Sequence, residues 1–118
     1  MSFEKEVKDR IGAIESNKEL KESAHEFLKA SLLPQYSYNF SWLGRPIIQY
    51  PQDMAAMQEL IWEVKPDLII ETGIAHGGSL IMNASFLAML DYCEAIENVE
   101  MLDPKKPKRR VLGIDIDI

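Results

Sequence analysis

One stretch constrains this chain more than any other: Asp67-Leu68-Ile69-Ile70-Glu71-Thr72-Gly73-Ile74-Ala75-His76-Gly77-Gly78-Ser79. The unbroken apolar run Leu68, Ile69, Ile70 predicts a strand of a parallel sheet covered on both faces. Glu71 puts a carboxylate at the strand's C-terminal end. Gly73, Gly77 and Gly78 allow a sharp turn and close approach of a ligand to the backbone, and Ser79 is expected to cap the helix that follows. In open α/β sheets, ligands sit in the crevice outside the carboxyl ends of the strands. The turn therefore marks the expected cofactor site.

The pattern separates classes of cofactor. A dinucleotide fingerprint reads G-x-G-x-x-G, with pyrophosphate on the helix N-terminus. Here the spacing is E-x-G-x-x-x-G, with Glu71 where the first glycine belongs. A carboxylate at that point repels pyrophosphate and suits a cation, such as a sulfonium carrying an amino-acid ammonium group. No Gly-Lys-Ser/Thr follows, so a phosphate-binding P-loop is excluded. By residue type the stretch resembles the first motif of class I S-adenosyl-L-methionine (SAM) methyltransferases. The competing reading is an ordinary strand-to-helix turn with incidental glycines.

The 118 residues suffice for one small domain. A formal net charge of −6 argues against a general nucleic-acid partner. The single cysteine, Cys93, excludes an internal disulfide framework. No apolar run is long enough to span a bilayer, and the charged Met1-Ser2-Phe3-Glu4-Lys5-Glu6 lacks a signal-peptide core. A cytoplasmic protein is expected. Two strand candidates cannot make a stable doubly wound sheet, and the second falls at the very end of the chain. The expectation is a truncated domain, completed by further chain or by homo-oligomerisation, or else a non-catalytic assembly module whose open sheet edge pairs with another chain.

Before the central turn, Phe3, Val7, Ile11 and Ile14 recur at helical spacing and predict a helix over 3–15. Ser16-Asn17-Lys18-Glu19 has the form of a capping box, predicting a second helix from about Asn17 to Leu33, with Leu20, Ala24, Phe27, Leu28 and Ser31 on one face and Pro34 as its stop. These helices are left open to pack on the core, cover the cofactor or pair between subunits. Residues 34–51 are rich in aromatics, Pro and Gly and read as an ordered, functional loop. In it Tyr36, Tyr38, Trp42 and Arg45 either build a substrate or cofactor wall or plug the sheet edge. Gln52 to Val64 reads as a helix with Met54, Met57, Leu60, Ile61 and Val64 buried, bracketed by Pro51 and Pro66.

Beyond the turn, Ser79 to about Ile96 predicts a helix with apolar contacts from Leu80, Ile81, Ala84, Leu87, Ala88 and Leu90; Cys93 reads as a small packed hydrophobe. Residues 97–110 are polar, and Lys105 to Arg110 reads as a basic surface loop. Val111 to Ile118 supplies the second parallel strand, at about 111–116, with Asp115 at its C-terminal end. In nucleotide-binding α/β folds an acid there accepts the ribose hydroxyls. A lesser reading takes Asp115 and Asp117 as the D-x-D site of a nucleotide-sugar transferase, since both carboxylates share one side of an ideal strand. His76, in the turn, either touches ligand or faces solvent. His25 reads as a surface residue, and His25, His76 and Cys93 form no metal set.

Several segments together extend the resemblance: Tyr36-Ser37-Tyr38-Asn39, Trp42-Leu43-Gly44-Arg45-Pro46-Ile47-Ile48-Gln49, Pro51-Gln52-Asp53, the turn from Glu71 to Ser79, and Gly113-Ile114-Asp115-Ile116-Asp117. Residues 34–118 resemble the cephalosporin hydroxylase family, which includes rhamnosyl O-methyltransferases and has a class I SAM-dependent methyltransferase fold. The resemblance implies an N-terminal helical segment, 1–33, followed by the N-terminal, cofactor-binding half of a Rossmann-like α/β methyltransferase domain, 34–118. It implies that Glu71 and Gly73 line the SAM pocket, that Gly77, Gly78 and Ser79 form the turn beside the methionine moiety, and that Asp115 binds the ribose. Gln49-Tyr50-Pro51-Gln52-Asp53 is implied to lie close to the cofactor. The acceptor is implied to be a sugar hydroxyl or a small secondary metabolite, with catalytic residues unassigned. The family's magnesium ion is held by acids on later strands, so this chain is expected to carry no metal ligand.

Overall fold

The computed structural model describes residues 2–117 as an α/β protein with four α-helices and two two-stranded sheets. It divides into two units, one running to Tyr36 and the other beginning at Ser37. Ile118, expected in the second parallel strand, lies outside the described residues. Among the described residues no helix is long and apolar enough to cross a membrane.

The first unit is a helical hairpin of α1 (Phe3–Glu15) and α2 (Lys18–Leu32). Ser2 caps α1 by accepting the Lys5 N–H at 3.4 Å. The residue expected to cap α2 was Ser16; instead Asn17 does so, accepting the Leu20 N–H at 2.9 Å. The reason is conformational: Ser16 is still right-handed helical and ends α1, while Asn17 has the extended backbone that an N-cap needs. The apolar stripes have the expected period, yet Phe3, Ile11, Ile14, Leu20, Phe27 and Leu28 all remain exposed.

The second unit begins with a correction. Residues 34–51, expected as a loop, contain a 3₁₀ turn (Tyr36–Tyr38) and an antiparallel hairpin of β1 (Phe40–Trp42) and β2 (Arg45–Ile47), paired Phe40 to Ile47 and Trp42 to Arg45. Leu43 and Gly44 both have positive φ, 46° and 84°, as a tight hairpin turn demands. Trp42 stacks edge-on against Phe86 at 5.3 Å and donates its indole N–H to Ser85 Oγ at 3.0 Å. It is a packing residue, not a ligand wall.

Helix α3 (Pro51–Val64) starts with proline in its first turn and stops at Lys65, whose left-handed backbone returns its N–H to the Ile61 carbonyl at 2.8 Å. Of its expected stripe only Ile61 is buried; Met54 is half-buried, and Met57, Leu60 and Val64 are exposed. Strand β3 (Leu68–Thr72) runs into the turn, α4 (Gly78–Glu97) follows, and β4 (Arg110–Ile114) returns parallel to β3, with Ile69 opposite Val111 and Thr72 opposite Ile114. Parallel pairing needs a crossover helix between the strands, and α4 supplies it. Ile69 and Val111 point to one side and pack with Phe86, Leu87, Leu90 and Ile61 as the core. The other face of the pair differs from the two-sided burial expected: Leu68, Ile70, Leu112 and Ile114 are each half or more exposed.

The basic segment after α4 is exposed from Lys105 to Lys108, as expected of a surface loop before a strand, and is anchored at its end. Asp91 is buried on α4 and accepts the backbone N–H groups of Lys108 and Arg109 on Oδ2, at 3.0 and 3.3 Å, and the Arg109 guanidinium on Oδ1 at 2.6 Å. Arg109 also reaches Glu94 at 2.9 Å. The hydrogen bond it donates to Asp91 holds the guanidinium above its ordinary pKa despite its burial. This anchor brings the 97–110 segment back to where β4 begins.

The glycines sort sharply. A Cβ on Gly78 would lie 2.2 Å from the Pro46 carbonyl oxygen and 2.6 Å from Ile47 Cβ, whereas one on Gly12 in α1 meets nothing within 4 Å. Gly78→Ala is expected to cost about 1–3 kcal/mol through forced overpacking, and Gly12→Ala to gain up to about 1 kcal/mol of helix propensity. Asp91→Ala, which strips a buried guanidinium of its main partner, is expected to cost about 3 kcal/mol. Urea midpoints of the three variants check the order.

Candidate functional site

The site follows from where β3 stops. The last ladder bond continues one residue beyond the strand, from Gly73 N–H to the Ile114 carbonyl at 2.8 Å. The Ile74 N–H then donates to Asp115 Oδ2 at 2.6 Å. Gly73, Ala75 and Gly77 take positive φ of 79°, 48° and 83°, and Gly77 returns its N–H to the Ile74 carbonyl at 2.8 Å. The chain thus reverses within five residues and enters α4 at Gly77, which caps the helix with no side-chain bond. Ser79, expected as that cap, is already inside the helix, because Gly77 supplies the left-handed geometry earlier. Its hydroxyl donates instead to Glu71 Oε1.

Four of the expected site residues, Glu71, Gly73, Gly78 and Ser79, line one cleft of about 250 Å³. Pro46, Ile47, Ile48 and Gln49 from the end of the hairpin close its far side. Of the segment Gln49 to Asp53, only Gln49 lines it. Gly77 and Asp115 do not line this cleft: Gly77 caps α4, and Asp115 accepts the Ile74 N–H of the turn. The hairpin wall was not foreseen at Pro46, Ile47 and Ile48; the signal was Gly78, which admits the β2 backbone against the first turn of α4.

Glu71 is the chemical centre of the cleft. Ser79 fixes one carboxylate oxygen, and the other, Oε2, is enclosed with no hydrogen-bond partner among the described residues. Leaving a buried acceptor without a donor costs about 1–3 kcal/mol, and more when it is charged. Opposite it, α4 opens with N–H groups that no side chain caps, which favours an anion there. The cleft thus offers an acceptor for a cation and donors for an anion within one turn of helix.

Asp115 is held as a structural acceptor. Its pKa is lowered, chiefly by the Ile74 N–H and next by the Asp117 N–H, the latter at 3.1 Å from Oδ1. The D-x-D reading loses its geometric basis, since β4 ends at Ile114 and the chain bends at Ile116. Among the described residues no three His, Cys, Asp or Glu are grouped to hold a metal ion. His76 is exposed at the tip of the turn, His25 is exposed on α2, and Cys93 is half-buried on α4.

A strand-end carboxylate, a glycine turn and a crossover helix without a side-chain cap between parallel strands make up an α/β unit with a cleft at its strand ends. The chain belongs to the rhamnosyl O-methyltransferase/CmcI family, an O-methyltransferase-like family whose model matches residues 34–118. No curated protein and no solved structure matches the chain.

The Asp115 contacts fix a pH dependence. A carboxylate whose pKa is depressed on folding stabilises the fold above its unfolded value, about 3.9, and that contribution disappears as pH falls through the lower folded value. The stability gap between wild type and Asp115→Asn should therefore be constant from pH 7 to 5 and close below about pH 4. Urea midpoints at pH 7, 5 and 3 check this.

Proposed function

We propose that the chain carries the cofactor-binding half of a SAM-dependent O-methyltransferase with a Rossmann-like fold, acting on a sugar hydroxyl or a small secondary metabolite. The observation that carries this reading is Glu71 Oε2, enclosed at the strand end with no donor among the described residues. SAM has complementary parts: an ammonium to donate to Glu71 and a carboxylate to accept from the first N–H groups of α4. When bound it supplies an electrophilic sulfonium methyl group. Ser79 orients Glu71; Gly73 and Gly78 keep the cleft free of Cβ atoms; Ile47 and Ile48 shield it from water on the hairpin side. Asp115, at the end of β4, is assigned the ribose hydroxyls through the lone pairs that Ile74 and Asp117 leave open. The choice of a sugar-type acceptor rests on the family description alone. The described residues do not fit a magnesium site, and no step is assigned to a metal.

A second reading, a non-catalytic assembly module, is favoured by one observation: the uncovered apolar face Leu68, Ile70, Leu112 and Ile114. Such a module self-associates and ignores SAM.

A thermal melt decides between them. SAM at about 100 times its dissociation constant stabilises by about 2.7 kcal/mol, a midpoint rise of roughly 10–20 °C for a domain near this size. Glu71→Gln, which keeps the shape and loses the charge, should weaken binding at least about tenfold, or about 1.4 kcal/mol. A wild-type melt that SAM leaves unmoved, or an equal rise in both proteins with matched dissociation constants, contradicts the reading.

A further inference from the structure

The turn at 74–76 has a second side. There Arg45, His76, Gly77, Leu80 and Ile81 line, with the shared turn, another, open cleft of about 280 Å³, in which Arg45 and His76 are both exposed. Its two polar side chains are a guanidinium and an imidazole, and no acid lines it. Among the described residues neither side chain has an ion-pair or hydrogen-bond partner.

The placement of Arg45 is not accidental to the fold. Residues two apart on a strand share a face. Ile47 is buried where β2 meets Gly78, so the same face of β2 carries Arg45 toward the first turns of α4. A cation at a helix N-terminus stands against the positive end of the dipole. Here α4 also begins with no side-chain cap. Two positive potentials therefore converge on one cleft that contains no anion. Asp115 does not line it and is engaged by the N–H groups of Ile74 and Asp117, and Glu71 lines the other cleft, where Ser79 holds it.

We propose that this second cleft is an oxyanion site, which takes the carboxylate or phosphate of an acidic acceptor. Arg45 is its fork-shaped donor, suited to two oxygens of one anion, and His76 is an accessory N–H donor. The two clefts share the turn 74–76, so an acid held by Arg45 is held beside the cofactor cleft. The anion's assignment to the acceptor rests on the methyl-transfer reading; the oxyanion site itself does not. Arg45 is then a specificity-determining residue, selecting acidic over neutral acceptors.

The test uses inorganic phosphate as probe, at fixed pH and with ionic strength held constant by chloride. The imidazole C–H resonances of His76 are followed, with His25 in the other unit as internal control. The expected result is a saturable shift at His76 and none at His25. Arg45→Gln should weaken phosphate binding at least about tenfold, and Arg45→Lys less. Calorimetric titration with SAM should give the same dissociation constant for wild type and Arg45→Gln within about twofold. A non-saturating drift at His76, or phosphate affinity unchanged by Arg45→Gln, overturns the site. Loss of SAM affinity in Arg45→Gln, with phosphate competing against SAM, overturns its assignment to the acceptor and gives the guanidinium to the cofactor's carboxylate. If SAM binds neither protein while the His76 shift saturates and depends on Arg45, the methyl-transfer reading fails and the oxyanion site stands.

Discussion

The structure depends on a clamp one residue past the end of the parallel ladder. Gly73 donates to the Ile114 carbonyl, and Ile74 donates to the Asp115 carboxylate. Without these two bonds the turn would be free to fray, as strand ends do. With them, the exit direction of the chain from β3 is fixed by β4. The pairing of Ile69 with Val111 in the core and the position of Glu71 at the cleft are thereby two consequences of one register. A slip of one residue would exchange the faces, burying Leu68 and Ile70 and turning Glu71, which shares the face of Ile69, outward.

The helix that follows carries the second constraint. Gly78 lets the backbone of β2 approach α4 to within the space of a missing methyl group. That approach closes the cleft with Ile47 and Ile48 and aims Arg45 at the helix start. Further along α4, Trp42 is tied to Ser85 and Phe86, and Asp91 gathers the Lys108–Arg109 backbone. One helix therefore organises three things: the hairpin, the core and the start of β4. Removing the Asp91 anchor would free the segment that positions β4, and with it the Asp115 clamp.

The parts legible from sequence are those with strong local signals. The helix over 3–15 is observed as Phe3–Glu15, and proline and the left-handed Lys65 bracket α3 close to the expected limits. The two parallel strands were legible from their apolar runs, and the turn between β3 and α4 from its glycines. The hairpin was not, for two physical reasons. Its turn is Leu43-Gly44 rather than Asn-Gly or Asp-Gly, which are the residues that take two positive φ angles easily. Its second strand contains Pro46, which ordinarily argues against a strand and is tolerated here in a two-stranded sheet. Burial was misjudged where periodicity was read as packing: Leu60 and Val64 in α3 have the right spacing and no neighbour to cover them. The pairing of Asp91 with Arg109 joins residues 18 apart by tertiary contact alone, which no local pattern announces. Likewise, nothing in Ser79's position distinguishes a helix cap from a hydrogen-bond donor to Glu71.

The Glu71 turn and the end of the hairpin together form the proposed cofactor cleft. Amide hydrogen exchange with and without SAM locates the bound ligand without presuming turnover. Slowed exchange is expected in peptides covering residues 46–49, 71–81 and 113–117, with no change over 3–32. Protection that falls elsewhere in the chain, or none at saturating SAM, would contradict it.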